Sequence, residues 1–149
     1  MSNDPNTSIH RLAIAKDFLR IALTIIIVMY PWSYLSSDLI GDWLNSSLIG
    51  WTLIIFGFYV SIFIAEQIVV SPELMRVLCD LRFVIATIAM ISAVGATVKF
   101  VLHGAPVITW PMQKEWRAFF VASGIIVCCG VILIPPARTW LSTKIRDRS

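Results

Sequence analysis

Charged residues beside long apolar stretches have the clearest chemical potential in this sequence. Glu66, Arg20 and Arg82 each lie near one edge of such a stretch, and Lys99 lies near an opposite edge. Charges at a membrane edge form structural ion pairs, extend toward the headgroups, or line a conduction path or relay. We expect Glu66 to come to the same depth as both arginines, which predicts an ion pair. Lys99 is expected to extend outward from the opposite end.

The other reactive residue types form no catalytic or cofactor-binding pattern. His10 and His103 lie outside the apolar stretches, which argues against haem ligation by paired histidines and against a histidine-rich metal centre. Cys79, Cys128 and Cys129 form no CxxC pair, and the adjacent two are expected to behave as small hydrophobic residues. No HExxH, GxSxG or glycine-rich phosphate loop occurs. We therefore predict no enzyme activity, no cofactor and no metal site.

The composition indicates that a membrane surrounds the elements that position these charges. Of the 149 residues, 58% are hydrophobic and 14% are charged, and the mean hydropathy is +0.82. A soluble domain carries about 45–50% apolar and about 25% charged residues. The length suits one compact unit. The net charge of +3 is read as an orientation signal, so no nucleic-acid partner is expected.

Four stretches without Asp, Glu, Lys or Arg define the predicted spans. They cover residues 21–37, 43–65, 83–98 and 118–137. A helical span needs roughly 20 residues, and the strand alternation of a membrane barrel is missing. We therefore predict an all-α membrane protein with a single domain of four transmembrane helices. Its spans are expected at about residues 18–36, 48–70, 83–102 and 117–135.

Prolines predict several helix ends. The first helix is expected to kink or end at Pro31. Residues 36–48 then form an outer loop, either as a short amphipathic turn in the interface or as a plain loop. Pro111 is expected to open the fourth helix, and Pro135 and Pro136 are expected to close it.

The third helix is predicted to be longer than its apolar stretch. Ser71, Pro72 and Glu73 supply a cap hydroxyl, a proline for the first position and an acid near the positive helix end. A helix from Pro72 to about Leu102 would extend roughly 15 Å beyond the bilayer, at 1.5 Å per residue. Helix 3 is therefore expected to reach into the cytoplasm.

Basic residues and tryptophans predict the topology. Nine of the twelve basic residues lie on the side of the two termini: Arg11, Lys16, Arg20, Arg76, Arg82, Arg138, Lys144, Arg146 and Arg148. This bias favours a multi-pass inner-membrane protein with both termini in the cytoplasm. Five of the six tryptophans then fall at the outer interface: Trp32, Trp43, Trp51, Trp110 and Trp116. Tryptophan is enriched at that level, which supports the assignment of the spans.

Small residues at helical spacing predict where helices approach closely. The second span carries Gly57, Ser61 and Ala65 on one stripe, and the third carries Ala89 and Ala93. Such stripes favour close contact between helices in lipid. The contact can lie within one bundle or between protomers, and the spacing leaves both possibilities open.

Two cytoplasmic segments are candidate contact sites. Glu73, Arg76 and Asp80 lie on the extension of helix 3, either as a solvated surface or as a docking site for a cytosolic partner. The basic tail of residues 137–149 is expected to meet anionic headgroups, at about 1 kcal/mol per basic residue near the surface.

Two functional hypotheses follow. The first is a small bacterial inner-membrane protein that forms a homo-oligomeric pore or perturbs the membrane, for example as a phage-defence or toxin-like effector. The second is an accessory, immunity or exclusion subunit that binds and regulates another membrane protein or transporter. A membrane enzyme is a less favoured third class. The shared layout of four spans does not by itself separate these classes.

Overall fold

The computed structural model describes residues 5–40 and 48–146, and these residues are all-helical apart from connections. The four helices are α1 (Pro5–Ile40), α2 (Leu48–Glu66), α3 (Pro72–Leu102) and α4 (Lys114–Arg146). The predicted all-α class with four helices is confirmed. Helices α2 and α3 and the Lys114–Pro135 part of α4 are long and apolar enough to cross a membrane.

The start of α3 agrees with its sequence signal. The helix begins at Pro72 and ends at Leu102, as predicted. Ser71 has the extended backbone of a capping residue, but its side chain makes no capping hydrogen bond. Its hydroxyl donates to Asp17 of α1 instead. A charged carboxylate is a strong acceptor for a hydroxyl donor, so Ser71 links the start of α3 to α1.

The prolines do not end helices as expected. Helix α1 continues through Pro31 to Ile40, so part of the predicted outer loop is helical. Trp43 and Leu44, which belong to the proposed amphipathic turn, lie outside the described residues. Helix α4 begins at Lys114 and runs past Pro135 to Arg146, so the prediction that prolines close it was wrong. A proline inside a membrane helix is tolerated where neighbouring helices and hydroxyl side chains satisfy the freed backbone.

The helices pack largely in chain order. Helix α2 packs against α1 and α3, and α3 packs against α4, whereas α1 and α4 touch less extensively. Two clusters of buried residues form the core. One contains Ile49, Leu53, Ala89, Ala93, Ala122, Ile125 and Cys129, and the other contains Ile62, Ala65, Val69 and Leu78.

The contact between α1 and α2 depends on a glycine. The Trp32 indole Nε1 donates to the Leu53 carbonyl oxygen at 2.9 Å. The ring lies so close to Gly57 that a Cβ there would be 2.6 Å from Trp32 Cδ1. A larger residue at this position would displace the indole from its acceptor. Trp32 therefore holds two helices together inside the bundle.

Candidate functional site

Glu66 and Arg82 form an ion pair between α2 and α3. Arg82 Nη1 donates to Glu66 Oε2 at 2.7 Å. The Glu66 side chain is 7% exposed and that of Arg82 is 29% exposed. The guanidinium also lies 5.7 Å from the centre of the Phe63 ring, within the range of a cation–π contact. The last residue of α2 is thereby linked to the first half of α3.

The Glu66 carboxylate is only half satisfied. Its second oxygen, Oε1, is buried and has no hydrogen-bond partner within the part of the chain that the structure describes. Buried polar atoms are nearly always paired, because an unpaired one loses the hydrogen bonds it made to water. Oε1 therefore keeps an unused acceptor position inside the bundle.

Arg20, the other predicted partner of Glu66, pairs with Asp17 instead. Arg20 Nη1 lies 3.0 Å from Asp17 Oδ1, one turn away on α1. The Asp17 side chain, 3% exposed, also accepts from the Ser71 amide at 3.0 Å and from the Ser71 hydroxyl at 2.6 Å. Both acceptor oxygens are used, so this carboxylate fixes the connection between α2 and α3 onto α1.

Sequence reasoning missed Asp17. Its spacing of three residues from Arg20, at the edge of an apolar stretch, is a signal that could have found the ion pair. Nothing in the sequence indicates that Asp17 contacts Ser71, because the two residues are far apart along the chain. Asp17 lies just outside the predicted first span, and the hydrogen bond from the Ser71 hydroxyl holds the pKa of its carboxyl below the ordinary value of 3.8.

Lys99 lies at the opposite end of the bundle and is exposed there. It lines a cavity of about 280 Å³ together with His103 and Glu115. Within the described residues it belongs to no ion pair, whereas Glu66, Arg82 and Asp17 all do. Lys99 lies near the end of α3, whereas Glu66 ends α2 and pairs with the first half of α3, so the two charges lie at opposite ends of the bundle.

Aromatic residues form the wall beside this cavity. The Trp116 indole donates to the Pro106 carbonyl oxygen at 2.7 Å, which ties α4 to the preceding connection. The Phe100 ring lies 5.2 Å from the Trp116 ring and 4.8 Å from the Phe119 ring, between centres. Such separations are typical of favourable aromatic pairs.

The other predicted tryptophan anchors occupy different surroundings. Trp51 and Trp110 are exposed, as an interfacial residue would be. Trp32 instead packs inward against α2 and reaches a backbone carbonyl there. Trp43 lies outside the described residues.

The small residues that were predicted to mediate helix packing are all buried in the bundle. Gly57, Ser61 and Ala65 are buried along α2, and Ala89 and Ala93 are buried along α3. Their small side chains bring α2 close to its neighbours. These small residues contact other helices of the same protomer and are not exposed on its surface.

The predicted docking residues are exposed on α3. Glu73, Arg76 and Asp80 lie on its first three turns and are exposed there. Arg76 and Asp80 are spaced for an i,i+4 pair, but neither belongs to an ion pair among the described residues.

The described residues contain no group of three or more His, Cys, Asp or Glu side chains that could hold a metal ion. Comparison of the chain with family models, curated proteins and solved structures finds no match.

Proposed function

We propose that this chain is a multi-pass protein of the bacterial inner membrane in which all four helices cross the bilayer and both termini are cytoplasmic. Three helices have the required length and apolarity. Helix α1 supports a fourth crossing, because Leu23, Ile26, Ile27 and Tyr30 are exposed along it. Such a face is favourable in lipid and costly in water.

We further propose that the protein is not an enzyme and acts as a homo-oligomer that forms a pore or perturbs the membrane. The observation that carries this proposal is that the buried hydroxyls of the protomer bond to their own helices. The buried hydroxyls of Thr52 and Ser61 donate to carbonyls one turn back on α2, at 2.9 Å each. Thr24 does the same on α1, at 2.7 Å. With these hydroxyls turned toward their own helices, a path for ions would lie between protomers.

The geometry of α4 supports assembly. A groove of about 180 Å³ separates α1 from α4, and its lining is almost entirely apolar. Gly124 lies in this groove, and a Cβ at that position would meet no atom within 4 Å. A helix of a second protomer can approach closely there.

The alternative is an accessory or immunity-type subunit that binds a different membrane protein. The observation in its favour is that the small residues of α2 and α3 are used inside the chain. A ring built through those stripes is therefore disfavoured, and the exposed faces of α1 and α4 would meet a foreign partner instead.

The oligomeric state in mild detergent tests the proposal. Native mass measurement is expected to give a defined oligomer, and purified protein in liposomes is expected to release a trapped ion. Gly124→Leu should weaken both oligomer formation and ion release, because the leucine side chain would fill the groove that a neighbouring helix is proposed to approach. Val127→Leu, an exposed change on the same helix, is the matched control. A monomer with no ion release would overturn the proposal, and co-purification with one other membrane protein would favour the alternative.

Membrane topology is tested separately. Alkaline carbonate should leave the protein in the membrane fraction, and a fluorescent reporter at the C-terminus should be active in the cytoplasm. A reporter active only on the periplasmic side would contradict the proposed orientation. It would leave the four helices and the oligomer proposal intact.

A further inference from the structure

A cavity lies at the end of the bundle opposite the two buried carboxylates. It has a volume of about 280 Å³ and lies between the start of α2, the end of α3 and the start of α4. Ala96 and Phe100 of α3 and Ala118 and Phe119 of α4 supply apolar wall. Small-molecule sites typically have volumes of about 300–1,000 Å³, so this one suits a single narrow apolar group.

Charged groups of both signs line the same cavity. Lys99 and Glu115 are exposed, and no ion pair joins either of them to any described residue. His103 Nδ1 lies 2.9 Å from the Lys99 carbonyl oxygen. A carbonyl can only accept, so Nδ1 donates and the second ring nitrogen, Nε2, is left for another contact. The cavity thus offers cationic and anionic groups that do not neutralise each other.

A hydrogen bond and a glycine conformation hold the wall of the cavity in place. The indole of Trp116 holds the Pro106 carbonyl at 2.7 Å, and Pro106 itself lines the cavity. Gly104, another lining residue, has φ of 75°, a conformation that side chains other than glycine rarely adopt. These two features turn the chain after α3 back over the opening.

We infer that this cavity binds a zwitterionic phospholipid of the ethanolamine type, with part of one acyl chain between α3 and α4. The phosphate faces Lys99, and the ammonium, which is a hydrogen-bond donor, faces Glu115. A headgroup with phosphate charge alone would leave Glu115 opposed by a like charge, whereas the ethanolamine headgroup satisfies both signs. This inference rests on the proposed membrane location, and it names the lipid that the outer end of the bundle recognises.

The test is a native mass titration of the purified protein with dioleoyl phosphatidylethanolamine, dioleoyl phosphatidylglycerol or oleate. Wild-type protein is expected to bind one ethanolamine lipid in preference to the glycerol lipid. Glu115→Gln should reduce that preference by about tenfold, the loss expected for one charge-assisted hydrogen bond. Equal binding of the two phospholipids by wild-type protein, or equal binding of oleate, would overturn the inference.

A second set of variants tests the site by filling the cavity with larger side chains. Ala118→Phe should abolish binding of both phospholipids, and the milder Ala96→Leu should weaken it even if the larger variant folds poorly. Val101→Phe is the matched control, because Val101 is exposed on α3 and does not line the cavity. Retained binding in a folded Ala96→Leu variant would overturn the site. A carbonate-resistant protein without lipid preference refutes the site alone, whereas a protein extracted by carbonate refutes the proposed location.

Discussion

The two ends of the helix bundle differ in whether their charged side chains are buried and paired. Where α2 meets α3, Glu66 and Asp17 are buried and each holds an arginine within 3.0 Å. At the other end, Lys99 and Glu115 line a cavity and pair with no described residue. Buried charges must be paired to be tolerated, whereas exposed charges at a cavity mouth stay available to a ligand. The first end therefore maintains the fold, and the second end is suited to recognition.

The first end contains a second contrast between its two carboxylates. Asp17 uses both oxygens, since Oδ1 accepts from Arg20 and Oδ2 accepts twice from Ser71. Glu66 uses only Oε2, and its buried Oε1 has no partner among the described residues. A fully satisfied carboxylate fixes a connection, whereas a half-satisfied one keeps an unused hydrogen-bond acceptor. Variants at the two ends can separate these roles.

The largest effect is expected from Glu66→Ala. The change leaves the Arg82 guanidinium beside a buried apolar surface without its acceptor. Unfolding should become easier by about 3 kcal/mol, the lower end for a broken buried pair because Arg82 is 29% exposed. Thermal unfolding in detergent measures the loss. The double variant Glu66→Leu with Arg82→Met should recover most of the stability, and additive losses would contradict a coupled pair.

Asp17→Asn should have the next largest effect. It weakens three hydrogen bonds at once, because an amide cannot accept at both of its heteroatoms. The pKa of Asp17 is lowered in the folded state, so its stabilising effect is present above the ordinary value of 3.8. That effect disappears as pH falls through the lowered pKa. The difference in unfolding temperature between wild type and variant should therefore narrow below pH 3.8. A constant difference would show that the charge is not the cause.

Ser71→Ala should cost less than Asp17→Asn. It removes the hydroxyl bond of 2.6 Å to Asp17 but keeps the backbone amide bond of 3.0 Å. The expected loss is about 1 kcal/mol, measured by the same unfolding assay. Ser37→Ala is a suitable control, because its exposed hydroxyl bonds only within α1. Equal losses for the two serine variants would contradict the role of Ser71 as a link between helices.

The smallest effect on stability is expected from Lys99→Gln. Lys99 is exposed and makes no ion pair among the described residues, so unfolding should change by less than about 0.5 kcal/mol. Phospholipid binding at the cavity should nevertheless weaken, which separates recognition from folding. A large loss of stability without any change in lipid binding would reverse the comparison between the two ends.

Helix number and the start of α3 could be predicted because they depend on local signals. The Ser71-Pro72-Glu73 sequence gives the correct start. Apolar length predicted four spans, and three of the four helices have the length and apolarity to cross a membrane. Helix α1 does not end at Pro31, and the predicted closure of α4 at Pro135 was wrong, because helices packed in a bundle continue where an isolated helix would break. The ion pair of Glu66 was predicted from depth, but depth alone left Arg20 and Arg82 equivalent.

The sequence by itself determined that the chain is helical, strongly apolar and charged near the ends of its apolar stretches. These properties follow from composition and from the distance that each residue advances along a helix. Only the tertiary structure decided which charges are paired. The packing of α1 against α2 brings Asp17 to Ser71, and the packing of α2 against α3 brings Arg82 to Glu66. Pairing depends on how helices rotate and approach one another. The sizes of many residues together determine that approach, and Gly57, which has no side chain, is one example.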